Sequence, residues 1–186
     1  MKNIIFILNL FCSLCLFSQY QKDSIHTSEI GFDGFAHVST FGGSYGLGIK
    51  YGMIKNEKII YGPSIRIQRM WSNYVGQKYG FNIYGGGGFI HYRLKNIFFI
   101  GAELEFLRSP INYIYILSTK RWVPTCFLGT GYSHQFKNIS LRLNAGVFYD
   151  IINNPNSPFR TSYIFKKSNG ALMPLIYRIG FFLPLK

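Results

Sequence analysis

Acidic residues are scarce in this 186-residue chain. Seven Asp and Glu stand against 20 Lys and Arg, so the formal net charge is +13 at pH 7. A balance this basic is typical of proteins that bind nucleic acid or an anionic membrane surface. The cations do not cluster in one segment, and the N-terminal segment described below indicates export. We therefore expect anionic lipid headgroups rather than nucleic acid as partners.

Cysteine is scarce as well, since only Cys12, Cys15 and Cys126 are present. The first two lie in the N-terminal apolar segment, and the bulky Leu14 before Cys15 differs from the small residue that precedes a lipoprotein cysteine. If this segment is removed, Cys126 is alone and no internal disulfide can form. The fold must then be held by strand pairing and packing.

Long apolar runs are absent beyond the N terminus. Residues 4–17 are apolar except for Asn9 and Ser13, follow the cation Lys2 and precede Ser18. This is the layout of a secretory signal peptide, and it is shorter than the roughly 20 apolar residues of a membrane helix. We predict a cleaved signal peptide over residues 1–18 and one domain over residues 19–186, with a retained anchor as the alternative.

Alternating apolar and polar residues predict strands in the rest of the chain. Between residues 139 and 149 the odd positions are apolar, while Ser140, Arg142 and Asn144 lie between them. Any membrane crossing must use strands, because no later segment is long enough for a helix. Eight strands are predicted, at residues 30–41, 44–54, 59–71, 79–94, 97–107, 121–136, 139–151 and 171–184.

The predicted connections alternate in length. Lys-Asn recurs at Lys55-Asn56, Lys95-Asn96 and Lys137-Asn138, each time between two strands. Asn tolerates the positive backbone angles of short hairpin turns. The other connections comprise a short one near Gly42-Gly43 and longer ones at residues 72–78, 108–120 and 152–170. Short turns at one rim and longer loops at the other are typical of outer-membrane barrels.

The composition of the two strand faces indicates which one meets water. One face is small and mostly uncharged, as at Gly46, Gly48, Gly129 and Gly131, whereas a water-facing exterior carries about 25–35% charged residues. The other face is too bulky for the interior of an eight-stranded barrel, which side chains fill. We therefore predict that the bulky face meets lipid and the small face lines the lumen. A soluble secreted barrel that holds one apolar ligand is the rival fold.

Tyr and Trp near the predicted strand ends fit the aromatic girdles of membrane barrels. The candidates are Tyr61, Trp71, Tyr79, Trp122, Tyr132 and Tyr149. 

With its leader, its Lys-Asn turns, its paired stripes and its aromatic last strand IYRIGFFLPLK, the chain resembles the small eight-stranded outer-membrane β-barrel family of Gram-negative bacteria. The resemblance implies an all-β fold, an eight-stranded antiparallel up-and-down transmembrane barrel, that is integral to the cell outer membrane. Many members of that family end in Phe, whereas Pro184, Leu185 and Lys186 follow the aromatics here. We expect a monomer.

Charged residues on the small face should meet inside the barrel. An unpaired charge in a narrow lumen of low dielectric costs several kcal/mol, so we predict a lumenal salt-bridge cluster. Two carboxylates two residues apart are able to serve as acid and base, but nearby guanidinium groups keep both ionised. We favour plugging of the lumen over catalysis. The predicted cluster comprises Lys50, Arg66, Glu103, Glu105, Arg142 and Arg178.

Candidate catalytic and metal-binding residues are few. His37, His91 and His134 show no spacing expected of a metal site. His37, Ser39 and Asp33 share one face and form the one trio suited to base, nucleophile and orienting group. We expect no catalytic residue, metal or cofactor. A lipid A-modifying enzyme that uses this trio is the alternative.

The last long loop, residues 152–170, contains Arg160, Lys166 and Lys167 and no acid. Loops on a rigid scaffold often carry binding, and cations are attracted to a charged lipid surface by roughly 1 kcal/mol each. We predict that these residues contact lipopolysaccharide or an extracellular or periplasmic protein, with an inert solvated loop as the alternative. The predicted role is non-enzymatic, namely structural, adhesive or secretion-accessory, and a narrow pore is a further alternative.

Overall fold

A computed structural model describes residues 27–39, 42–56, 58–74, 77–94, 97–109, 121–136, 140–166 and 172–185. The predicted signal peptide, residues 1–18, lies outside these ranges. Within them, no helix is long and apolar enough to cross a membrane.

The described chain is almost entirely β-structure, with one short 3₁₀-helix, η1. The elements are β1 (Ser28–Ser39), β2 (Gly42–Lys55), β3 (Ile59–Tyr74), β4 (Gln77–Leu94), β5 (Phe98–Ser109), β6 (Arg121–Phe136), β7 (Leu141–Asp150), η1 (Pro158–Ser162), β8 (Phe165–Lys166), β9 (Leu172–Met173) and β10 (Leu175–Leu185).

Eight of these strands form a closed barrel in the order β1-β10-β7-β6-β5-β4-β3-β2, and β8 and β9 form a separate two-stranded hairpin. All barrel pairs are antiparallel, and β10 pairs with β1 to close the cylinder. Closure pairs the two outermost strands from Ser28↔Leu185 to Gly34↔Ile179, and paired strand edges are what hydrocarbon requires of a barrel. The predicted eight-stranded antiparallel up-and-down barrel is confirmed.

The first Lys-Asn turn identifies one rim, which we call the turn rim. Asn56 has φ +52°, the positive angle that favours Asn in a tight turn. Asn96 and Asn138 lie outside the described residues, but the strands beside them pair as hairpins, from Leu94↔Phe98 and from Phe136↔Leu141. We call the opposite end the loop rim.

Two predicted connections at the loop rim are wrong. The sequence predicts a loop at residues 72–78, but residues 72–74 belong to β3, residues 77–78 belong to β4, and the two strands pair as far as Tyr74↔Gln77. The polar stretch Ser72-Asn73 lacks the apolar alternation by which a strand is recognised, and the ladder of an existing hairpin continues without it. The predicted last strand, residues 171–184, is interrupted at Pro174, so that β9 belongs to the loop hairpin and β10 begins at Leu175.

The two faces of the barrel are sorted as the composition predicts. On β5, Ile100, Leu104 and Phe106 are exposed, whereas Glu103 and Glu105 are buried. Among the described outward-facing strand residues, charged Lys and Arg side chains occur only towards the rims, at Lys55, Arg69 and Arg108. Exposed apolar residues surround the barrel between them, among them Leu47, Tyr51, Ile65, Ile67, Ile90, Leu128, Val147, Tyr177 and Ile179. We call this surface the apolar belt.

The lumen is fuller and more aromatic than the sequence suggested. Besides the small residues, six phenylalanines of the barrel strands lie buried inside, at positions 35, 89, 99, 127, 148 and 182. A seventh, Phe159, comes from η1 in the last loop. The small inward positions make room for these rings: a Cβ at Gly46 would meet Phe35, and one at Gly129 would meet Phe148.

Candidate functional site: the lumenal ion network and its plug

Six barrel strands contribute charged or titratable side chains to one buried group at mid-height in the lumen, which we call the ion network. Its members are Asp33 on β1, Lys50 on β2, Arg66 on β3, His91 on β4, Glu103 and Glu105 on β5, and Arg178 on β10. Each is 4% exposed or less, so the partners rather than water must satisfy the charges.

Glu103 is the hub of the ion network. Its Oε1 accepts a hydrogen bond from Lys50 Nζ at 2.6 Å and lies 2.9 Å from His91 Nε2. Its Oε2 accepts from Arg178 Nη1 and lies 4.0 Å from Arg66 Nη2. One carboxylate thereby connects four other strands of the barrel.

Arg66 forms the second centre of the ion network. Its Nε and Nη2 donate to the carboxylate oxygens of Glu105 at 2.8–3.0 Å, and its Nη1 donates to Asp33 Oδ1 at 2.9 Å. Asp33 Oδ2 lies 2.7 Å from Lys50 Nζ. Paired, fork-like contacts of this kind are the strongest that a guanidinium makes with carboxylates.

Formal charges in the ion network balance. Three carboxylates (Asp33, Glu103, Glu105) face three cations (Lys50, Arg66, Arg178), with His91 as an additional hydrogen-bonding partner. Removing one partner from such a group leaves an uncompensated buried charge, which costs about 3–5 kcal/mol. The ion network therefore ties opposite walls together and occupies the centre of the lumen.

Five of the six residues predicted for a lumenal cluster lie in the ion network, and Arg142 does not. Arg142 is buried in the lumen, but its Nη1 donates to Ser133 Oγ at 3.2 Å, and Ser133 Oγ donates to Asn144 Oδ1 at 2.7 Å. The strand register explains the difference: Arg142 pairs with Phe182, whereas Arg178 pairs with Gly146. Arg142 thus lies four residues nearer the turn rim.

Asp33 and His91 belong to the ion network although neither is among the six residues predicted for the lumenal cluster. Both have the strand parity of the inner face, on β1 and β4, and that signal was available. What the sequence did not give was their height in the barrel, which follows from pairs such as Asp33↔Gly48 and His91↔Gly101.

A second buried ion pair lies nearer the turn rim. Arg93 Nη1 and Nη2 donate to Glu29 Oε1 and Oε2 at 3.0 and 2.5 Å. The Arg93 guanidinium also lies 5.5 Å from the centre of the Phe182 ring, a distance at which a cation is attracted to an aromatic face.

At the loop rim, η1 inserts into the barrel and covers the ion network. Ser157 caps η1 by accepting a hydrogen bond from Phe159 N at 3.3 Å. The Phe159 ring is fully buried, 4.9 Å from the Phe127 ring and 5.4 Å from the Phe35 ring. It also lies 5.2 Å from the Arg178 guanidinium. We call the segment from Ser157 to Tyr163 the plug.

Hydrogen bonds to the barrel wall hold the plug. Gln68 Nε2 donates to Pro158 O at 3.1 Å, and the hydroxyls of Ser44 and Ser162 form a short hydrogen bond. Tyr163 Oη donates to Asp150 Oδ2 at 3.0 Å. Burial raises the pKa of the Tyr163 phenol above its ordinary value, and the Asp150 carboxylate raises the pKa further. The phenol is therefore the donor in this contact.

Only one of the three predicted loop cations is described in full. Arg160 is half-buried on the plug, and its Nη1 donates to Asn153 Oδ1 at 3.4 Å. The side chain of Lys166 and the whole of Lys167 lie outside the described residues.

Asp33 and His37 of the candidate trio lie in different parts of the barrel, and Asp33 belongs to the ion network. Both Asp33 oxygens are engaged by Lys50 and Arg66, and His37 lies four residues nearer the loop rim, half-buried. The side chain of Ser39 is outside the described part of the chain. Within that part, no group of three or more His, Cys, Asp and Glu is arranged to hold a metal ion.

Aromatic and basic side chains meet on the outer wall near the loop rim. Trp122 is 59% exposed and packs edge-to-face with Tyr84 at 6.4 Å. Arg108 Nη1 donates to Tyr84 Oη at 2.7 Å, and Arg69 Nη1 donates to Asn82 Oδ1 at 2.6 Å. We call these five residues the basic wall. Of the other girdle candidates, Tyr61, Tyr132 and Tyr149 are exposed and Trp71 is half-buried, while the side chain of Tyr79 lies outside the described residues.

An exterior of exposed apolar side chains around a lumen of buried ions inverts the arrangement of a soluble protein, and it defines the class of transmembrane β-barrels. No protein-family model matches the chain, and no curated protein matches it. Among solved structures, the chain is similar to the outer membrane protein Ail of Yersinia pestis in a phospholipid bilayer nanodisc. The identity is 12%, the TM-score is 0.47, and the match covers 86% of this chain and 99% of that one.

Proposed function

We propose that the protein is a monomeric, non-enzymatic barrel integral to the bacterial outer membrane, with a closed lumen and a loop rim that contacts lipopolysaccharide. The observation that carries the membrane assignment is the apolar belt. Side chains such as Ile67, Trp122 and Phe106 are about half exposed or more; in water this surface would promote aggregation, whereas in lipid it is solvated.

A heat-modifiability gel on the membrane fraction tests the membrane assignment. A folded barrel migrates differently before and after boiling, so we expect two mobilities for a protein extracted only with detergent. Identical migration, together with extraction by aqueous buffer alone, would show the soluble barrel that is the rival fold.

The basic wall supports contact with anionic lipid. Arg69 and Arg108 point outward from β3 and β5 with Tyr84 and Trp122 beside Arg108. Aromatic rings favour the membrane interface, and guanidinium groups pair with phosphate through two donors. Each cation near an anionic lipid surface contributes about 1 kcal/mol.

Vesicle binding tests the lipopolysaccharide contact. In detergent-free reconstitution, the double variant Arg69→Gln/Arg108→Gln should enrich lipopolysaccharide around the barrel several-fold less than the wild type. Lys55→Gln/Lys58→Gln removes two exposed cations near the turn rim and is the matched control. Equal losses in both variants would indicate an effect of net charge and would contradict a site at the loop rim.

A structural, adhesive or secretion-accessory role is compatible with a closed lumen, and a pore is not. Phe159 and the ion network lie one above the other on the lumenal path. We expect planar-bilayer recordings of the wild type to show no unitary conductance. A reproducible unitary conductance step would contradict the closed lumen and support a pore.

A further inference from the structure

The seam that closes the barrel is incomplete on its loop-rim half. β1 and β10 pair from Ser28↔Leu185 to Gly34↔Ile179, and among the described residues the ladder stops there. The same register would next join Phe35 to Arg178 and Ala36 to Tyr177. β1 remains paired with β2 as far as Ser39↔Gly42, so only its edge towards β10 is open.

The last loop occupies the edge of β10 at the loop-rim end of this gap. Ile164 N donates to Leu175 O at 3.0 Å, and β8 pairs with β9 directly above. The returning loop therefore takes the edge of β10 at the position that a longer β1–β10 ladder would use. Across the gap, Tyr177 Oη donates to Ala36 O.

A groove lies on the outer wall where the ladder ends, over the last pairs Phe32↔Phe181 to Gly34↔Ile179 and the first residues beyond them. Its volume is about 400 Å³, and it is lined almost entirely by apolar surface of β1, β2 and β10. Gly34 and Ala36 form a low floor between the exposed residues Leu47 and Ile179. Asp33 and Phe35, whose side chains lie in the lumen, also line the groove.

We propose that this seam groove binds one acyl chain of a lipid from the loop-rim leaflet. The inference rests on the proposed membrane location, since the groove is continuous with the apolar belt. Its upper end lies level with Tyr45, which pairs with Ala36 and packs on Trp71 at 6.0 Å. Aromatic residues of this kind lie at the membrane interface, so a headgroup would sit at that level and its chain would run down the groove.

A protein strand does not suit the same place. Neighbouring strands lie about 4.8 Å apart, so an inserted strand would move β1 and β10 to roughly twice that spacing and break the contact between Tyr177 and Ala36. An acyl chain has no backbone groups to pair, and it would lie mainly over Phe32, Asp33 and Gly34, whose strand edge is already paired with β10. Close contacts along the groove add dispersion energy.

A photoactivatable lipid tests the proposal in reconstituted full-length barrel. The probe is a phosphatidylethanolamine that carries a diazirine in one acyl chain, in phosphatidylethanolamine vesicles, with crosslinked residues identified by mass spectrometry. We expect crosslinks at Gly34, Ala36, Leu47 and Ile179 to exceed those on the far wall, at Ala102 and Leu104, by several-fold.

A groove-filling variant supplies the second arm. A Cβ at Gly34 meets nothing closer than Gly46 O at 3.5 Å, so Gly34→Phe should place a ring in the groove without disturbing the wall. We expect a several-fold loss of crosslinking at Leu47 and Ile179. Ala102→Phe adds a ring of the same size on the outer face of β5 and should leave the groove crosslinks unchanged.

The outcomes separate this proposal from the membrane location. Uniform crosslinking around the belt, unaltered by Gly34→Phe in a barrel that retains its heat-dependent gel shift, would overturn the acyl-chain site and leave the membrane location standing. Absence of lipid crosslinks at every belt position would overturn both.

Discussion

Glu103 shows how one buried residue can hold several strands. Its two oxygens contact Lys50, His91 and Arg178, each on a different strand. A carboxylate in such a site is stable only while its partners are charged and in place, and the partners in turn depend on it. Single substitutions here should therefore act on the whole barrel.

Glu103→Gln should lower the free energy of unfolding by about 3–5 kcal/mol, because it leaves buried cations without compensation. Urea titration in lipid vesicles, followed by the heat-dependent gel shift, measures the change. The double variant Glu103→Gln/Lys50→Met restores the charge balance and should recover most of the loss. A single variant within about 0.5 kcal/mol of the wild type, the range of an ordinary surface substitution, would contradict the role of Glu103 as the hub.

Tyr163 should make the docking of the plug depend on pH. The folded-state pKa of Tyr163 is raised, chiefly by burial and then by Asp150, above its ordinary value of 10.0. The contribution of Tyr163 to docking is thus complete below pH 10.0 and is lost as the pH rises towards the folded-state pKa. A spin label at the exposed position 161 should remain immobile at neutral pH and become mobile in alkali.

Tyr163→Phe is the control for this alkaline transition. Without the phenol, label mobility should not change over the same pH range. If the variant retains the transition of the wild type, another group is responsible and Tyr163 does not hold the plug.

At the scale of elements, the plug and the seam belong to one structural feature. The segment between β7 and β10 sends η1 into the lumen, where Phe159 meets Phe127 and Phe35. The chain then returns along β10 through Ile164, which takes the edge that β1 would otherwise pair with. The segment that occludes the lumen therefore also occupies the edge of β10 at the loop-rim end of the seam.

Phe159→Ala should release the plug. A buried Phe→Ala change in a core costs about 3–5 kcal/mol, which exceeds what a few loop hydrogen bonds provide at about 1 kcal/mol each. We expect a spin label at position 161 to become mobile at neutral pH. Arg160→Ala, on the half-buried neighbour, should leave the label immobile; equal effects of the two changes would show that Phe159 is not the anchor.

For the whole molecule, the central question is whether the outer face of the barrel wall contacts lipid or water. Cys126 is a natural reporter of this contact, because it lies on the outward side of β6, opposite Leu104 of β5, and is a free thiol. In a membrane barrel a lipid-soluble maleimide should modify Cys126, while a charged, water-soluble maleimide should not. Peptide mass spectrometry locates the adduct, and preferential reaction with the charged reagent would place this face in water.

Which strand residues face outward and which face the lumen could be predicted, because this depends only on the local sequence. Side chains alternate along a strand with a period of two, so Ile100 and Glu103 must lie on opposite faces wherever β5 is placed. The strand number and the outward direction of the apolar face follow from the same alternation, together with the excess of bulky residues over the volume available inside.

Height in the barrel was not predictable in the same way. Asp33 joins the ion network and Arg142 lies elsewhere because strand register, summed around the cylinder, sets which inner positions share a level. The position of Phe159 could be predicted even less from the local sequence. Its segment shows no alternation of apolar and polar residues, and the lumenal space that buries its ring exists only once the barrel has closed.

The number of strands, their two faces and the need for buried charges to be paired therefore follow from the amino-acid sequence, since they rest on the two-residue period of a strand and on the cost of an isolated buried charge. The tertiary structure alone decided which charges meet, that the last loop fills the loop-rim end of the lumen, and that the seam stays open beyond Gly34↔Ile179. The physical reason is that contacts across a closed cylinder depend on register, curvature and competition for strand edges, which are properties of the assembled barrel.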